Sequence, residues 1–501
     1  MWNNFTLDLT APVSRQKQII TFLRDAILDG RATPGLRLPS SRVLAADLGV
    51  SRQTVVLAYE ALVDEGFATS RHGSGLFVAD ALPGWAARPA GHSRASASGP
   101  RRSTLVLSQR GQTLAQLTLT PARRDVGLLA PGVPALDLFP HAVWSKLSAR
   151  FWRGRPGADR LGYTDPAGLL PLRQAIAGHL GATRGLTCAA EDIVVTTGSQ
   201  QAIALAACLL LDPGDAVWVE EPAYVAGRSA LAAAGARLIP VPVDGDGLAV
   251  EAGIRSAPAA RLALVTPSHQ YPLGVTMTLP RRLALLRWAE LSNSWIVEDD
   301  YDGDYRYAGP PLRPLRALAS HGASRCVVYV GTFAKVLAPA LRLGFLVAPE
   351  GLAPAFATAR ALADRQSPEP MQATLADFIG EGHLSAHLRR MRSAYAERRD
   401  ALLRALEEEC TDELDWRRDG VEAGLHFPVT FNDRHKSDVA VSAAAAKLGL
   451  QTPPLTGYHT GQGQPGLVLG FGATSASRMA DAARRLRRSC SVESVPRRPA
   501  S

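Results

Sequence analysis

The chain of 501 residues is short of several features that would place it elsewhere. Its five cysteines, Cys188, Cys208, Cys326, Cys410 and Cys490, are scattered and lack the close spacing of metal sites or disulfide frameworks. That pattern points to free thiols in a reducing compartment. No run reaches about 18 uninterrupted apolar residues, so no membrane span is expected. The most apolar stretch, Ala202 to Leu211, stops at Asp212-Pro213-Gly214. Residues 1–10 lack the basic start and apolar run of a secretory signal, so a cytoplasmic protein is expected.

Excess charge is missing where it would be most telling. The net charge is +9, which suggests a nucleic-acid partner, but residues 1–80 hold eight Lys/Arg against eight Asp/Glu. Residues 81–125 carry seven Arg against Asp125, and residues 484–501 carry six Arg against Glu493. Any binding of nucleic acid by the first eighty residues must therefore rest on particular side chains.

Composition divides the chain. Pro83 to Arg102 is rich in Ala, Gly, Ser, Pro and Arg, with Trp85 its only aromatic residue. Such a segment buries too little surface to offset its ordering entropy. Residues 80–125 therefore read as a flexible linker, with room for a short strand at Thr104–Leu107, and residues 491–501 as a disordered tail. Between them, over 126–490, apolar runs such as Ile193–Thr196, Leu262–Val265, Trp295–Val297 and Cys326–Val330 alternate with helical segments. That alternation predicts an α/β domain with a mostly parallel sheet.

Ahead of the linker, a helix is expected from near Ser14 to Asp29, with Ile19, Leu23 and Ile27 on one face and Gly30 as the stop. Ser40 can cap a second helix that ends at Gly49, and Ser51 a third over Arg52–Glu65 with Val55, Tyr59 and Leu62 inward. Two short helices joined through Gly49 form a helix-turn-helix pattern, whose second helix offers Arg52, Gln53 and Thr54 at its N-terminal end. Arg pairs with guanine and Gln with adenine in the major groove. Phe67–Ser70 and Leu76–Val78 flank a glycine-rich tip, Arg71-His72-Gly73-Ser74-Gly75, which reads as a wing.

The runs Leu38-Pro39-Ser40-Ser41-Arg42 and Leu48-Gly49-Val50-Ser51-Arg52-Gln53-Thr54-Val55, then Gly66 and Gly73-Ser74-Gly75, closely resemble the winged helix-turn-helix of GntR-type regulators over residues 12–79. The resemblance implies double-stranded operator DNA as partner. It makes Arg42 and Arg52 the main contacts, supported by Arg37, Ser41, Ser51, Gln53, Thr54, Arg71, Gly73 and Gly75.

The later motifs carry different chemistry. Ile193–Thr196 runs into Thr197-Gly198-Ser199-Gln200-Gln201 and an apolar helix, and the free N–H groups of a helix start bind anions. Trp295-Ile296-Val297 leads to Glu298-Asp299-Asp300-Tyr301-Asp302, where a carboxylate can keep a pyridinium N–H protonated; Asp300 and Asp302 read equally well as a solvated acidic loop. Gly331-Thr332-Phe333-Ala334-Lys335 puts a lysine after a buried strand, where it can form a Schiff base. Arg342 follows and can clamp a phosphate.

In order and separation these pieces resemble the fold-type I pyridoxal-phosphate aminotransferases. Joined to a GntR-type domain, they resemble the MocR subfamily. The resemblance implies pyridoxal 5'-phosphate on Lys335, with Asp299 at the ring nitrogen, Tyr301 at the ring hydroxyl and Tyr224 stacked on the ring. Ser199, Gln200, Thr332 and Arg342 would hold the phosphate. Tyr271 stands where aminotransferases carry an asparagine, and His269 is an alternative contact. The resemblance further implies a domain-swapped homodimer.

One position departs from the aminotransferase pattern. In Gly466-Leu467-Val468-Leu469-Gly470-Phe471, Val468 occupies the place of an arginine that grips the substrate α-carboxylate; His426, Arg365 or Arg417 are the candidate substitutes. The leading expectation is a regulator that senses an amine, an amino acid or pyridoxal phosphate itself. The alternatives are a working aminotransferase that also binds DNA and a DNA-binding protein with a cofactor-free dimerisation domain.

Overall fold

The computed structural model describes residues 7–8, 13–71, 75–80, 107–116, 126–307, 309, 312–319, 323–416 and 418–491. Their contacts divide the chain into two units, Met1–Leu105 and Val106–Ser501.

In the first unit, helices α1 (Arg15–Leu28), α2 (Ser41–Leu48) and α3 (Arg52–Asp64) precede an antiparallel pair, β1 (Ala68–Arg71) and β2 (Gly75–Val78). Serine hydroxyls set all three helix starts: Ser14 accepts from the Lys17 N–H, Ser40 from Val43 and Ser51 from Thr54. Each such cap contributes about 1 kcal/mol. Gly49, at φ +60°, turns the chain between α2 and α3 where a side chain would be strained. Ile19, Leu23, Val55, Leu62 and Phe67 are fully buried in a core of this unit's own residues.

The second unit opens with α4 (Gln109–Gln116), a helix inside the stretch that sequence assigns to a linker. Of Thr104–Leu107, only Leu107 is among the described residues, and it is not in a strand. An eight-stranded sheet follows: β3 (Ile193–Thr196), β4 (Ala216–Glu221), β5 (Arg237–Asp244), β6 (Gly247–Leu248), β7 (Leu262–Val265), β8 (Trp295–Asp300), β9 (Val327–Thr332) and β10 (Gly344–Val347). Their spatial order is β3-β10-β9-β8-β7-β4-β5-β6. β5, β4, β7, β8 and β9 are mutually parallel, while β10 runs antiparallel to both its neighbours and β6 to β5. The central strands read as unbroken apolar runs because helices cover both faces of the sheet.

A smaller sheet of β11 (Leu414–Asp415), β12 (His426–Phe431) and β13 (Gly466–Gly470) packs Phe427, Val429, Leu467 and Leu469 into the same core as residues of the helices His383–Glu409 and Met479–Cys490. Among the described residues, no helix is long and apolar enough to cross a membrane.

Candidate functional site

The C-terminal ends of β3, β4, β7, β8 and β9 lie along one edge of the large sheet, where open α/β sheets bind ligands. There they enclose a cavity of about 250 Å³ lined by Ser199, Gln200, Tyr224, Tyr271, Asp299, Tyr301, Thr332, Lys335 and Arg342, together with Pro131, Gly132, Gly198, Thr266, Ala334 and Pro339. Residues more than two hundred positions apart, such as Gly132 and Lys335, are thus brought together by the fold.

One end of the cavity is built for an anion. β3 ends in Thr196, whose hydroxyl donates to the Gly198 carbonyl. Gly198 sits at φ +136° and starts the helix Ser199–Leu210, aiming its first N–H groups at the cavity. A side chain on Gly344 would come within 2.7 Å of the Gly198 Cα, so β10 can pass this turn only as glycine. Thr332 closes the other side. The Gln200 side chain donates to the Ala226 carbonyl, which leaves its backbone N–H for the anion. The Arg342 backbone adopts φ +51° and its side chain is exposed.

The other end holds a carboxylate and an amine. Asp299 is buried, and among the described residues its Oδ1 has no hydrogen-bond partner. Burial, then the neighbouring Asp300 charge, push its carboxyl up to about 7, while Lys335 pulls the other way. The Lys335 Nζ donates to the Gly132 carbonyl at 2.5 Å. The side chain keeps some surface open to the cavity, yet removal from bulk water lowers its pKa against the pull of Asp302 and Asp299. An unpaired carboxylate oxygen invites a cationic N–H, and the anion cradle invites a phosphate. These features fit pyridoxal phosphate.

The tyrosines behave differently from one another. Tyr224 is pushed up to about 12 by burial and stands edge-on to Tyr271. The Tyr301 hydroxyl donates to the His269 carbonyl at 2.9 Å and lies 3.1 Å from His269 Nδ1. His269 Nδ1 is also 3.0 Å from the Asp302 carboxylate. The Tyr271 hydroxyl meets that of Tyr458 at 3.1 Å. Neither Asp300 nor Asp302 belongs to a solvated loop: both are buried, Asp300 against Arg184 and the Tyr329 hydroxyl, Asp302 against His269.

Of the three substitutes for the missing arginine, none lines the cavity among the described residues. His426 is buried behind Tyr271 and Tyr301, with the Pro272 carbonyl beside its ring. Arg365 is exposed over the Tyr163 ring. Arg417 lies outside the described residues. Sequence reasoning missed Gly132, which takes the Lys335 hydrogen bond, and Tyr458, which braces Tyr271; neither sits in a motif with a local period.

In the first unit, Arg37, Arg42, Arg52 and Gln53 are exposed. The Arg52 Nε donates to the Ser41 hydroxyl at 3.3 Å, and the Ser51 and Thr54 hydroxyls are 2.8 Å apart. Arg37 packs alongside Gly75, which pairs with Arg71 at the tip end of the wing. Arg71 is engaged by Asp80 at 3.1 Å and lies over the Phe77 ring, so it is less free than its sequence position suggests. Gly73 lies outside the described residues.

The Asp299 carboxyl makes a pH prediction for the cofactor-free protein. A carboxyl raised from roughly 3.9 to about 7 on folding binds its proton more tightly when folded. Its contribution to stability is full below pH about 4 and is lost as pH rises through about 7. Asp299→Asn cannot ionise, so the variant is expected to gain on the parent by on the order of 2–4 kcal/mol between pH 5 and pH 8. Denaturant melts at several pH values check this, and a difference that stays constant with pH counts against it.

Known proteins resemble both units. Residues 15–78 match the bacterial regulatory proteins of the gntR family, and residues 139–486 match aminotransferase class I and II. The chain is 38% identical over 483 residues to the probable rhizopine catabolism regulatory protein MocR of Rhizobium meliloti, covering 96% of this chain and 94% of that protein. It is 33% identical to the pyridoxine biosynthesis transcriptional regulator PdxR of Corynebacterium glutamicum, covering 92% and 93%. Among solved structures, the α-aminoadipate aminotransferase LysN of Thermus thermophilus, complexed with N-(5'-phosphopyridoxyl)-L-leucine, superposes with a TM-score of 0.69 at 28% identity, covering 76% of this chain and 96% of that one.

Proposed function

The chain belongs to the MocR-type transcription regulators, a GntR-family DNA-binding domain joined to an aminotransferase class I and II domain, and on that premise we propose that it senses a small amine through pyridoxal phosphate on Lys335. The observation that carries this is the cavity itself, which unites an anion cradle, an unpaired buried carboxylate oxygen at Asp299 and a partly desolvated lysine. Bound there, the cofactor supplies an electrophilic carbon that exchanges one primary amine for another.

The chain's residues supply the rest. The helix start at Ser199, with Thr332 and Arg342, binds the phosphate. Asp299 opposes the ring nitrogen and stays ionised once that cation is beside it. Tyr224 covers one face. Burial lowers the Lys335 pKa, which increases the share of free amine able to attack at neutral pH. Tyr301 is oriented by His269 and Asp302.

Signalling then follows from linkage: an amine that favours one arrangement of the protein shifts DNA affinity by its difference in affinity for the two. A homodimer is part of this reading, and exposed apolar side chains support it. Leu161, Tyr163 and Leu362 are 58%, 83% and 85% exposed, beside a contact in which Thr164 and Gly162 bond Gln366.

The test is a paired titration. Protein loaded with pyridoxal phosphate is titrated with primary amines while visible absorbance and the anisotropy of labelled DNA from upstream of its own gene are followed. Both signals are expected to move with one midpoint. An absorbance change that leaves DNA affinity unaltered would overturn the sensor, and sustained keto-acid formation would make the protein a working aminotransferase.

A further inference from the structure

The cavity carries three charged side chains among its described lining, Asp299, Lys335 and Arg342. On the reading above, the cofactor engages all three. The described wall that remains for a ligand is Pro131, Gly132, Thr266, Tyr271, Ala334 and Pro339, and it is uncharged.

Position 468 shows why. Val468 lies opposite Pro428 on β12, and His426 lies opposite Gly470, so Val468 and His426 share one face of the small sheet. The other face, with Phe427, Leu467 and Leu469, is packed in the core. His426 touches the rings of Tyr271 and Tyr301, so its face is the one turned to the cavity. A cation at 468 would therefore stand on that side, and valine stands there instead. His426 does not replace it, because burial and its neighbours His269 and Lys335 keep the imidazole neutral. The Arg228 guanidinium donates to the Tyr458 carbonyl, lies near Glu221 and is not part of the cavity's described lining. Glu220, its carboxyl pushed up to about 7 by burial, and the buried Asp302 offer a carboxylate no cation either.

We infer that the effector is a primary amine without a carboxylate, its remaining groups uncharged and apolar or hydroxyl-bearing, and that Val468 is the residue that turns away the corresponding amino acids. This rests on the sensor reading and narrows it. Exchange at the cofactor carbon would replace the carbon–nitrogen double bond to Nζ by one to the incoming amine. The two protons that the amine gives up would end on Nζ, so no oxidant or reductant would be required.

Matched pairs that differ only by the carboxylate test it: tyramine against tyrosine, ethanolamine against serine, isobutylamine against valine. The cofactor-loaded protein is titrated with each, and binding is read from visible absorbance and from DNA affinity. Each amine is expected to bind at least about tenfold more tightly than its amino acid, and Val468→Arg to tighten amino-acid binding by about tenfold or more. Tighter binding of the amino acids by the unaltered protein would overturn the inference and leave the sensor standing. No response to any member of either set, with cofactor bound, would overturn both. The comparison on the unaltered protein decides the matter even if the variant does not fold.

Discussion

Lys335→Ala is expected to leave a folded protein that no longer retains pyridoxal phosphate and no longer changes its DNA affinity when an amine is added. The loss of cofactor affinity should reach at least roughly 100-fold, about 2.7 kcal/mol, because the covalent link goes while the phosphate cradle stays. Folding should survive. Among the described residues the lysine tail has one hydrogen-bond partner, the Gly132 carbonyl, and it faces the cavity, so water can replace it there. DNA affinity without amine should change by less than about threefold, since the first unit has a core of its own. Lys335→Arg keeps the charge and the hydrogen-bonding reach but cannot form the link, so it should fail in the same way. Dialysis followed by absorbance measures retention, and a thermal melt reports folding. Retained colour and retained amine response in Lys335→Ala would refute the assignment of the cofactor to this lysine.

Much of this site was legible because its parts are local. A small-residue turn after an apolar strand, an acidic pair at the end of another strand and a lysine behind a third each announce themselves within ten residues. Strand order then brings Ser199, Asp299 and Lys335 to one edge, and the alternation of strands and helices foretold that order in outline. The serine caps of α2 and α3 were equally local. What escaped was set by distance in sequence. Tyr458 reaches Tyr271 across 187 positions, and Lys335 reaches Gly132 across 203. Asp300, at the end of β8, looked solvent-facing because its partner Arg184 lies 116 residues away on the helix Leu170–Arg184. The helix Gln109–Gln116 escaped for a different reason: its polar sequence holds one large apolar residue, Leu114, too few for an apolar stripe.

Arg52→Ala is expected to weaken specific DNA binding by roughly 10- to 100-fold and to leave the cofactor spectrum unchanged. The first eighty residues carry no net charge, so there is no diffuse basic surface to compensate for one lost guanidinium. Arg52 opens α3 and is exposed, and the Ser41 hydroxyl accepts from its Nε, which fixes the direction of the side chain. The terminal nitrogens, which have no hydrogen bond among the described residues, remain for a base edge or a phosphate. The two roles separate on salt. Loss of a base contact should flatten discrimination between operator and scrambled DNA with little change in the slope of log affinity against log salt; loss of a phosphate contact should weaken both DNAs alike and lower that slope by about one. Ser41→Ala is the informative companion. It removes the hydroxyl that steers Arg52 but lies after the α2 cap at Ser40, so the helix start is kept. A fall in specificity for Ser41→Ala, smaller than for Arg52→Ala and without loss of thermal stability, would show that Arg52 reads DNA in a held orientation. Wild-type affinity in Arg52→Ala would instead move recognition to Arg42 and the wing.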